Sequence, residues 1–340
     1  MLKDLLADNR RFSGEFGARL SNHLSMAALA LAWVGAEDDR IADFAAHYRD
    51  RWPLQPLPRS TRRATYEQWR QALGDPGCEA RAVAYFADAL ARSGRAATLR
   101  AHLSELLRGV GASAFHALIR TAYALEAEDD AELACALGYW TMSWLDLGQS
   151  EPAGEFMRPL EVFEAFGAAF RPTADLPPGL IFHRMAAVVA HPSFDAFAAR
   201  YSPAPGALAE LAAAVVTLFA ATSDFTALHA MTSTHAVRIV LPWTPDPQSA
   251  LAHHWRALLA AYGSMGAPEP PSTDEIARLR CVATPSWAAL HAAARASNDD
   301  HVIKSIYTAW REDEAYHDPL YALAAGRYAG LISRAPSEAC

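Results

Sequence analysis

Alanine and leucine recur at helical spacing along almost the whole chain, and stretches that alternate apolar with polar residues are hard to find. A period of about 3.6 residues places such side chains on one helix face, whereas a strand needs a period of two. Proline ends a helix because it lacks the backbone N–H, and proline-rich segments interrupt the pattern at 52–58, 171–179, 241–247 and 268–271. None of them is long enough to be a flexible linker. The sequence therefore predicts an all-α fold, with one large multi-helix domain over residues 1–340.

Composition limits the classes of partner. The 340 residues are 52% hydrophobic, which is enough for a large core, and their formal net charge of −8 argues against a nucleic-acid binder. The N-terminal segment has no apolar signal core, and the longest apolar runs are too short to span a bilayer. The cysteines lack C-x-x-C spacing and are expected to be reduced thiols: Cys78, Cys135, Cys281 and Cys340. We expect a cytoplasmic protein without nucleic-acid or membrane partners. The oligomeric state stays open, with a homodimer as the candidate assembly.

A helix near the C-terminal end carries a lysine in an apolar setting. Asn298 is a suitable N-cap residue, and Asp299 and Asp300 suit the positive end of a helix that begins there. His301 and Lys304, three residues apart, share a helix face. A buried ammonium needs a partner or loses its charge. One route is reaction of the amine with carbon dioxide, because the resulting carbamate is an anion that binds metal ions.

Histidines occur early in four apolar helices: His23, His116, His229 and His301. Taken singly, each is more often a hydrogen-bonded core residue than a ligand. Taken together, they suit the inward-facing ligands of a helical metalloprotein. Imidazole binds iron, copper, nickel and zinc alike, so the histidines do not identify the metal. The positive end of a helix dipole opposes a cation, although this effect is modest beside ligand bonds.

The segments around these histidines resemble a known family. Residues 22–27, 115–120, 228–232, 235–236 and 300–304 are similar to the questin oxidase-like family, whose members include fungal enzymes that oxidatively open anthraquinone and related polyketide rings. The resemblance keeps the order of these segments and covers most of the chain. It implies an all-helical oxygenase that acts with O2 on a small aromatic or quinone-like molecule.

The resemblance also implies site residues. His23, His116, His229 and His301 become expected Fe(II) ligands, with Lys304 as an additional anionic ligand if it is carboxylated. His235 matches a family position and is expected to be catalytic, beside the ligands or in place of one. Its position, and not the resemblance, suggests a role for Arg238, which lies one turn after His235 and is expected to meet a phenolate or carboxylate of the substrate, with an ordinary ion pair as the alternative. The reaction is O2-dependent C–C cleavage or a Baeyer–Villiger-type oxidation, the latter with NADPH as a reductant.

Aromatic residues are the candidates for a substrate pocket, because flat rings stack on a polycyclic ligand: Phe115, Trp140, Trp144 and Tyr307. Filling of the core is the alternative role for each of them. Two other functions stay open for the chain. One is a metal-free, NADPH-dependent oxidoreductase of the same family, in which the histidines act as acid and base. The other is a non-catalytic helical ligand-binding protein in which the histidines are structural.

Overall fold

The computed structural model describes residues 1–60 and 64–333. Within these residues it contains seventeen α-helices and one two-stranded antiparallel sheet, which confirms the prediction of one large all-α domain. The strands are β1 Glu15–Phe16 and β2 Leu20–Ser21. The helices are α1 Leu2–Asn9, α2 Leu24–Trp33, α3 Asp38–Arg51, α4 Tyr66–Gln71, α5 Glu79–Arg108, α6 His116–Glu126, α7 Asp130–Ser143, α8 Pro159–Phe170, α9 Ile181–Val189, α10 Phe194–Ala198, α11 Ala207–Thr222, α12 Phe225–Val240, α13 Pro247–Ser264, α14 Thr273–Arg280, α15 Trp287–Ala296, α16 Asp300–Tyr316 and α17 Leu320–Tyr328.

Aspartate side chains begin several of the central helices. Each accepts hydrogen bonds from backbone N–H groups of the first turn, which otherwise have no partner within the helix: Asp129 for α7, Asp224 for α12, Asp246 for α13 and Asp299 for α16. The prediction of Asn298 as the cap of α16 was wrong by one residue. The Asn298 side chain instead accepts a hydrogen bond of 2.9 Å from Arg40, which leaves Asp299 to cap the helix.

The proline-rich segments lie between helices, as predicted. Residues 53–58 are extended and join α3 towards α4, and residues 171–180 contain a short 3-10 turn before α9. A second 3-10 turn covers Leu241–Trp243, after which Pro247 occupies the first turn of α13. Proline suits that position because the missing N–H would have no helical partner there.

The core is continuous and is built around α6, α12 and α16. α12 packs against α6, α11, α13 and α16, and α16 also packs against α2. Four helices therefore pack in a closed order, α2 on α6, α6 on α12, α12 on α16 and α16 on α2. None of the described helices combines the length and the apolar character that crossing a membrane requires.

A buried ion pair fixes α6 against α7. Arg120 and Glu132 are each 1% exposed, and the Arg120 Nε–H donates to Glu132 Oε1 over 2.8 Å. α7 in turn packs closely on α5, where a Cβ on Gly138 would lie only 2.9 Å from the backbone nitrogen of Val83. Backbone cannot move aside as a side chain can, so this close approach requires glycine. The two contacts together hold α6 in place, and His116 is the first residue of that helix.

The cysteines have no disulfide partners among the described residues. Cys78 and Cys135 are buried thiols and Cys281 is exposed, in agreement with the expectation of free cysteines. Burial raises the pKa of both Cys78 and Cys135 to about 12. These two thiols are therefore protonated and unreactive at neutral pH. Cys340 lies outside the described residues.

Candidate metal centre

Four imidazole side chains contact one another in a closed cycle, which is here called the histidine ring: His23, His116, His229 and His301. His23 stacks on His116 with centroids 4.5 Å apart, and the His116 and His229 centroids are 4.7 Å apart. His229 and His301 are 5.5 Å apart, and His301 returns to His23 at 4.7 Å. The structure therefore brings together side chains separated by up to 278 residues along the chain.

The Nδ1 atom of each ring faces a hydrogen-bond acceptor. His116 Nδ1–H donates to the carbonyl oxygen of Ser113, and His229 Nδ1–H donates to that of Phe225 over 2.7 Å. The other two rings share one acceptor, the Asp300 carboxylate: His23 Nδ1 is hydrogen-bonded to it, and His301 Nδ1 lies 3.2 Å from Oδ2. These acceptors fix the hydrogen of each neutral imidazole on Nδ1.

The Nε2 atoms consequently carry the lone pairs. His116 Nε2 and His229 Nε2 lie 3.1 Å apart, and with both hydrogens on Nδ1 neither atom has a hydrogen to donate to the other. The Nε2 atoms of His23 and His301 are buried and have no hydrogen-bond partner among the described residues. Two nitrogens bound to one metal ion at about 2.1 Å are themselves about 3 Å apart in a cis arrangement. His23, His116 and His301 each offer a ligand atom, and these atoms lie within 4.8 Å of one another, while His229 joins them through its contact with His116. The donor set therefore fits a metal ion, and metal-bound histidines commonly donate from Nδ1 to acceptors of this kind.

Burial keeps these rings neutral. It lowers the pKa of His229 to about 3 and holds those of His116 and His301 well below the usual range. The pKa of His23 is also lowered, chiefly by burial and then by the charge of Lys304. Neutral imidazole is the form that binds metal ions, so the site needs no deprotonation before an ion enters.

Asp300 joins the charges of the site. One of its oxygens, Oδ2, lies 3.7 Å from the Lys304 ammonium, is hydrogen-bonded to His23 Nδ1 and lies 3.2 Å from His301 Nδ1. Burial raises the pKa of Asp300, but the neighbouring His23, His301 and Lys304 outweigh that effect and hold it well below the usual range. Burial lowers the pKa of Lys304, and Asp300 opposes the shift. The buried lysine therefore has the partner that its position demanded. The sequence predicts only a helix-end role for Asp300, and no local pattern shows that it reaches His23.

A turn with left-handed backbone places His116. Ser113, Ala114 and Phe115 have φ values of +44°, +55° and +70°. Non-glycine residues rarely adopt this region, at a cost of roughly 1–2 kcal/mol each. The turn directs the Ser113 carbonyl oxygen towards His116 Nδ1, three residues on. Strain of this kind is concentrated at functional sites, where the surrounding packing holds it in place.

A cavity of about 310 Å³ adjoins the histidine ring. Three of the four histidines line it together with Asp300. The remainder is mostly apolar, with aromatic side chains from several parts of the chain: Phe16, Tyr48, Trp52, Phe182 and Phe225. Phe225 is 45% exposed at the start of α12, and its ring lies 4.6 Å from those of both His229 and His301. The cavity is at the small end of the usual range for ligand sites.

The aromatic residues expected in the pocket do not line this cavity. Trp140 is fully buried and donates to the carbonyl oxygen of Gly109 over 3.1 Å. Trp144 packs so closely on Gly109 that a Cβ there would lie 2.3 Å from its ring. Phe115 is fully buried in the strained turn, and Tyr307 donates to a carboxylate in the core. These four rings hold helix ends together, the alternative role that the sequence left open.

His235 and Arg238 belong to a separate buried network. Six residues separate His235 from His229 along α12, about 9 Å of helix rise. Its Nδ1 lies 2.7 Å from Glu312 Oε1 and its Nε2 lies 3.4 Å from Glu126 Oε2, so neither nitrogen faces the histidine ring. Burial alone lowers the pKa of His235, but the two carboxylates outweigh it and raise the pKa. Arg238 pairs with Glu312 at 2.7 Å. The structure thus places these residues in an ion-pair network and not beside the expected ligands.

A comparison with known proteins gives a family. A protein-family model described as Questin oxidase-like matches residues 20–309, a range that contains the whole histidine ring, Asp300 and Lys304. Two residues of the cavity, Phe16 and Arg19, precede the matched range. No protein of curated function matches the chain.

Proposed function

The chain belongs to the questin oxidase-like family, and on this premise we propose that it uses O2 at a non-haem Fe(II) site to oxidise an aromatic, quinone-like substrate. The observation that carries the proposal is the set of Nε2 lone pairs on His23, His116, His229 and His301, next to an apolar cavity. When bound there, Fe(II) supplies the one-electron chemistry that lets O2 react with an organic molecule.

The protein residues orient and protect the reactants. Asp300 and the Ser113 and Phe225 carbonyl groups keep hydrogens on Nδ1 of the four imidazoles, so that each Nε2 stays available. The N-terminal ends of four helices surround the site and favour anions there. An ionised phenol or reduced oxygen is therefore stabilised, whereas the bare metal cation is opposed. The four Nε2 donors and the Asp300 charge offset that opposition.

The reaction has two forms with different requirements. In a dioxygenase-type C–C cleavage both oxygen atoms enter the substrate and no external reductant is needed. In a Baeyer–Villiger-type oxidation one oxygen atom is inserted beside a carbonyl and the other leaves as water, so that NADPH supplies two electrons. The described residues contain no recognised nicotinamide-binding motif that would favour the NADPH-dependent form. An assay with and without NADPH distinguishes the two reactions.

The test is oxygen uptake by the full chain with a hydroxylated anthraquinone. Protein freed of metal by a chelator is assayed without addition, with Fe(II), and with Fe(II) and NADPH. We expect uptake only after Fe(II) is restored, and its dependence on NADPH decides between the two forms. Equal uptake by the metal-free protein would contradict the iron site and support the metal-free oxidoreductase. Absence of uptake and of bound iron would support a structural role for the histidines.

The state of Lys304 is part of this proposal. As a carbamate it is an anionic ligand, but as an ammonium it is the partner of Asp300. The two states predict opposite effects for Lys304→Met. Loss of a ligand weakens Fe(II) binding, whereas removal of a nearby positive charge strengthens it, because like charges repel. Because a carbamate would place a second anion beside Asp300, we expect stronger binding, measured by competition with a chromophoric chelator. Weaker binding in Lys304→Met, with bicarbonate-dependent iron affinity in the wild type, would establish the carbamate.

A further inference from the structure

The cavity beside the histidine ring is lined by an arginine, Arg184, that has no acidic partner among residues 1–60 and 64–333. It lies on α9, about one turn after Gly179 and Leu180, which also line the cavity, and it is partly buried. Its Nε is buried and has no hydrogen-bond partner in the described part of the chain. A guanidinium keeps its charge at every physiological pH, and a buried N–H without an acceptor is unfavourable. Arg184 is therefore a donor that a ligand would satisfy.

The other arginine of the cavity is already matched. Arg19 donates from Nε to Glu15 Oε2 over 3.2 Å, and its guanidinium lies 4.7 Å from the centre of the Phe182 ring. The Asp300 carboxylate, which also lines the cavity, is engaged by two histidines and by Lys304. The negative charge of Asp300 is thus compensated by Lys304 and does not need Arg184. Arg184 provides the unmatched charge that faces the space.

The remaining walls suit a flat ring. Phe16 and Trp52 lie on one side with centroids 5.7 Å apart, and Phe182 and Phe225 also line the space. Flat apolar walls with a single guanidinium match an aromatic molecule that carries one oxyanion. The planar fork of arginine binds a carboxylate through two parallel hydrogen bonds and also meets an ionised phenol.

We propose that Arg184 determines substrate specificity by binding an oxyanion, a carboxylate or an ionised phenol, on a flat aromatic substrate. The ring system then extends from Arg184 between the aromatic walls towards His23, His116 and His301, which line the same cavity. The inference rests on the proposed function in one respect, since it takes this cavity as the substrate site. It adds the chemical group that the substrate must carry and identifies Arg184 as the residue that binds this group.

The test compares a charged ligand with a neutral one of the same ring system, anthraquinone carboxylate and its methyl ester, which differ by the charge and one methyl group. Calorimetric titration of the full chain at neutral pH gives both affinities for the wild type, Arg184→Gln, Arg184→Lys and Arg19→Gln. We expect the wild type to prefer the carboxylate, and Arg184→Gln to lose about 10- to 100-fold in carboxylate affinity with the ester unchanged. Arg184→Lys should keep part of the preference, because it retains the charge and loses the fork.

Arg19→Gln is the matched control, because it removes a guanidinium from the same cavity. We expect it to leave the ratio of carboxylate to ester affinity unchanged. A wild type that does not prefer the carboxylate, or that binds neither ligand, would overturn the proposal, and so would equal losses of preference in Arg184→Gln and Arg19→Gln. Titrations of metal-free and Fe(II)-loaded protein separate this result from the oxidase proposal. A charge preference that persists without any bound iron would support Arg184 and leave only the iron chemistry in doubt.

Discussion

Replacing His116 by alanine is expected to weaken Fe(II) binding by more than about 100-fold. Loss of a group that only hydrogen-bonds to a ligand already weakens metal binding by about 10- to 100-fold, and loss of the ligand itself should cost more. His116 contacts two other histidines of the ring, since it stacks on His23 and its Nε2 lies 3.1 Å from His229 Nε2. Its removal takes away one lone pair and the packing that orients a second ring. The measurements are iron per chain after anaerobic purification and competition with a chromophoric chelator.

A buried histidine elsewhere in the core provides the control. His102 Nε2 accepts from the Tyr85 hydroxyl over 2.7 Å, and its Nδ1–H donates to the Thr98 carbonyl over 2.6 Å. Both nitrogens are therefore occupied, and none remains for a metal ion. His102→Ala should lower the free energy of unfolding and keep the wild-type iron content. Near-wild-type iron in His116→Ala, or equal loss of iron in the two variants, would refute the assigned ligand set.

Removing the carboxylate of Glu132 is expected to lower the free energy of unfolding by about 3–5 kcal/mol, because the Arg120 guanidinium would then be buried without a partner. Both side chains are 1% exposed and are joined by a hydrogen bond of 2.8 Å. Burial alone lowers the pKa of Arg120, but the Glu132 charge outweighs it and raises the pKa. The measurement is urea unfolding of Glu132→Ala, followed by far-ultraviolet circular dichroism.

Two further variants show whether burial is the cause. Asp88 pairs with Arg92 on the surface of α5, and Asp88→Ala should cost less than about 1 kcal/mol because solvent screens that pair. The double variant Arg120→Met with Glu132→Leu should recover most of the lost stability, since apolar side chains of similar volume replace a buried pair at little cost. A loss in Glu132→Ala no larger than that in Asp88→Ala would contradict the role of the ion pair in fixing α6.

The fold was predictable from local pattern, because helical periodicity and proline breaks are properties of neighbouring residues. The error at Asn298 shows the limit of that reasoning. Asparagine and aspartate cap helices about equally well, and the choice of Asp299 depends on Arg40, which is distant in sequence and occupies the Asn298 side chain. A helix boundary can therefore shift by one residue for a reason that lies in another helix.

The aromatic residues predicted for the substrate pocket illustrate a second limit. Trp140, Trp144 and Tyr307 have the side chains that a flat substrate would need, and their spacing suits either a pocket or a core. Only the packing against Gly109 and the carboxylate of Glu126 assigns them to the core. Phe182 and Arg184, which do line the cavity, lie in a short apolar helix whose sequence has no unusual feature.

The sequence by itself determined the helices, their approximate ends and the positions of the four histidines near helix N-termini, because these follow from interactions within a few residues. The tertiary structure decided that those N-termini meet, that Asp300 serves both His23 and His301, and that a cavity with one unmatched arginine opens beside them. The physical reason is that a side chain's partner and the direction of its lone pair depend on how distant helices pack. Packing between helices leaves no periodic signal in any one of them.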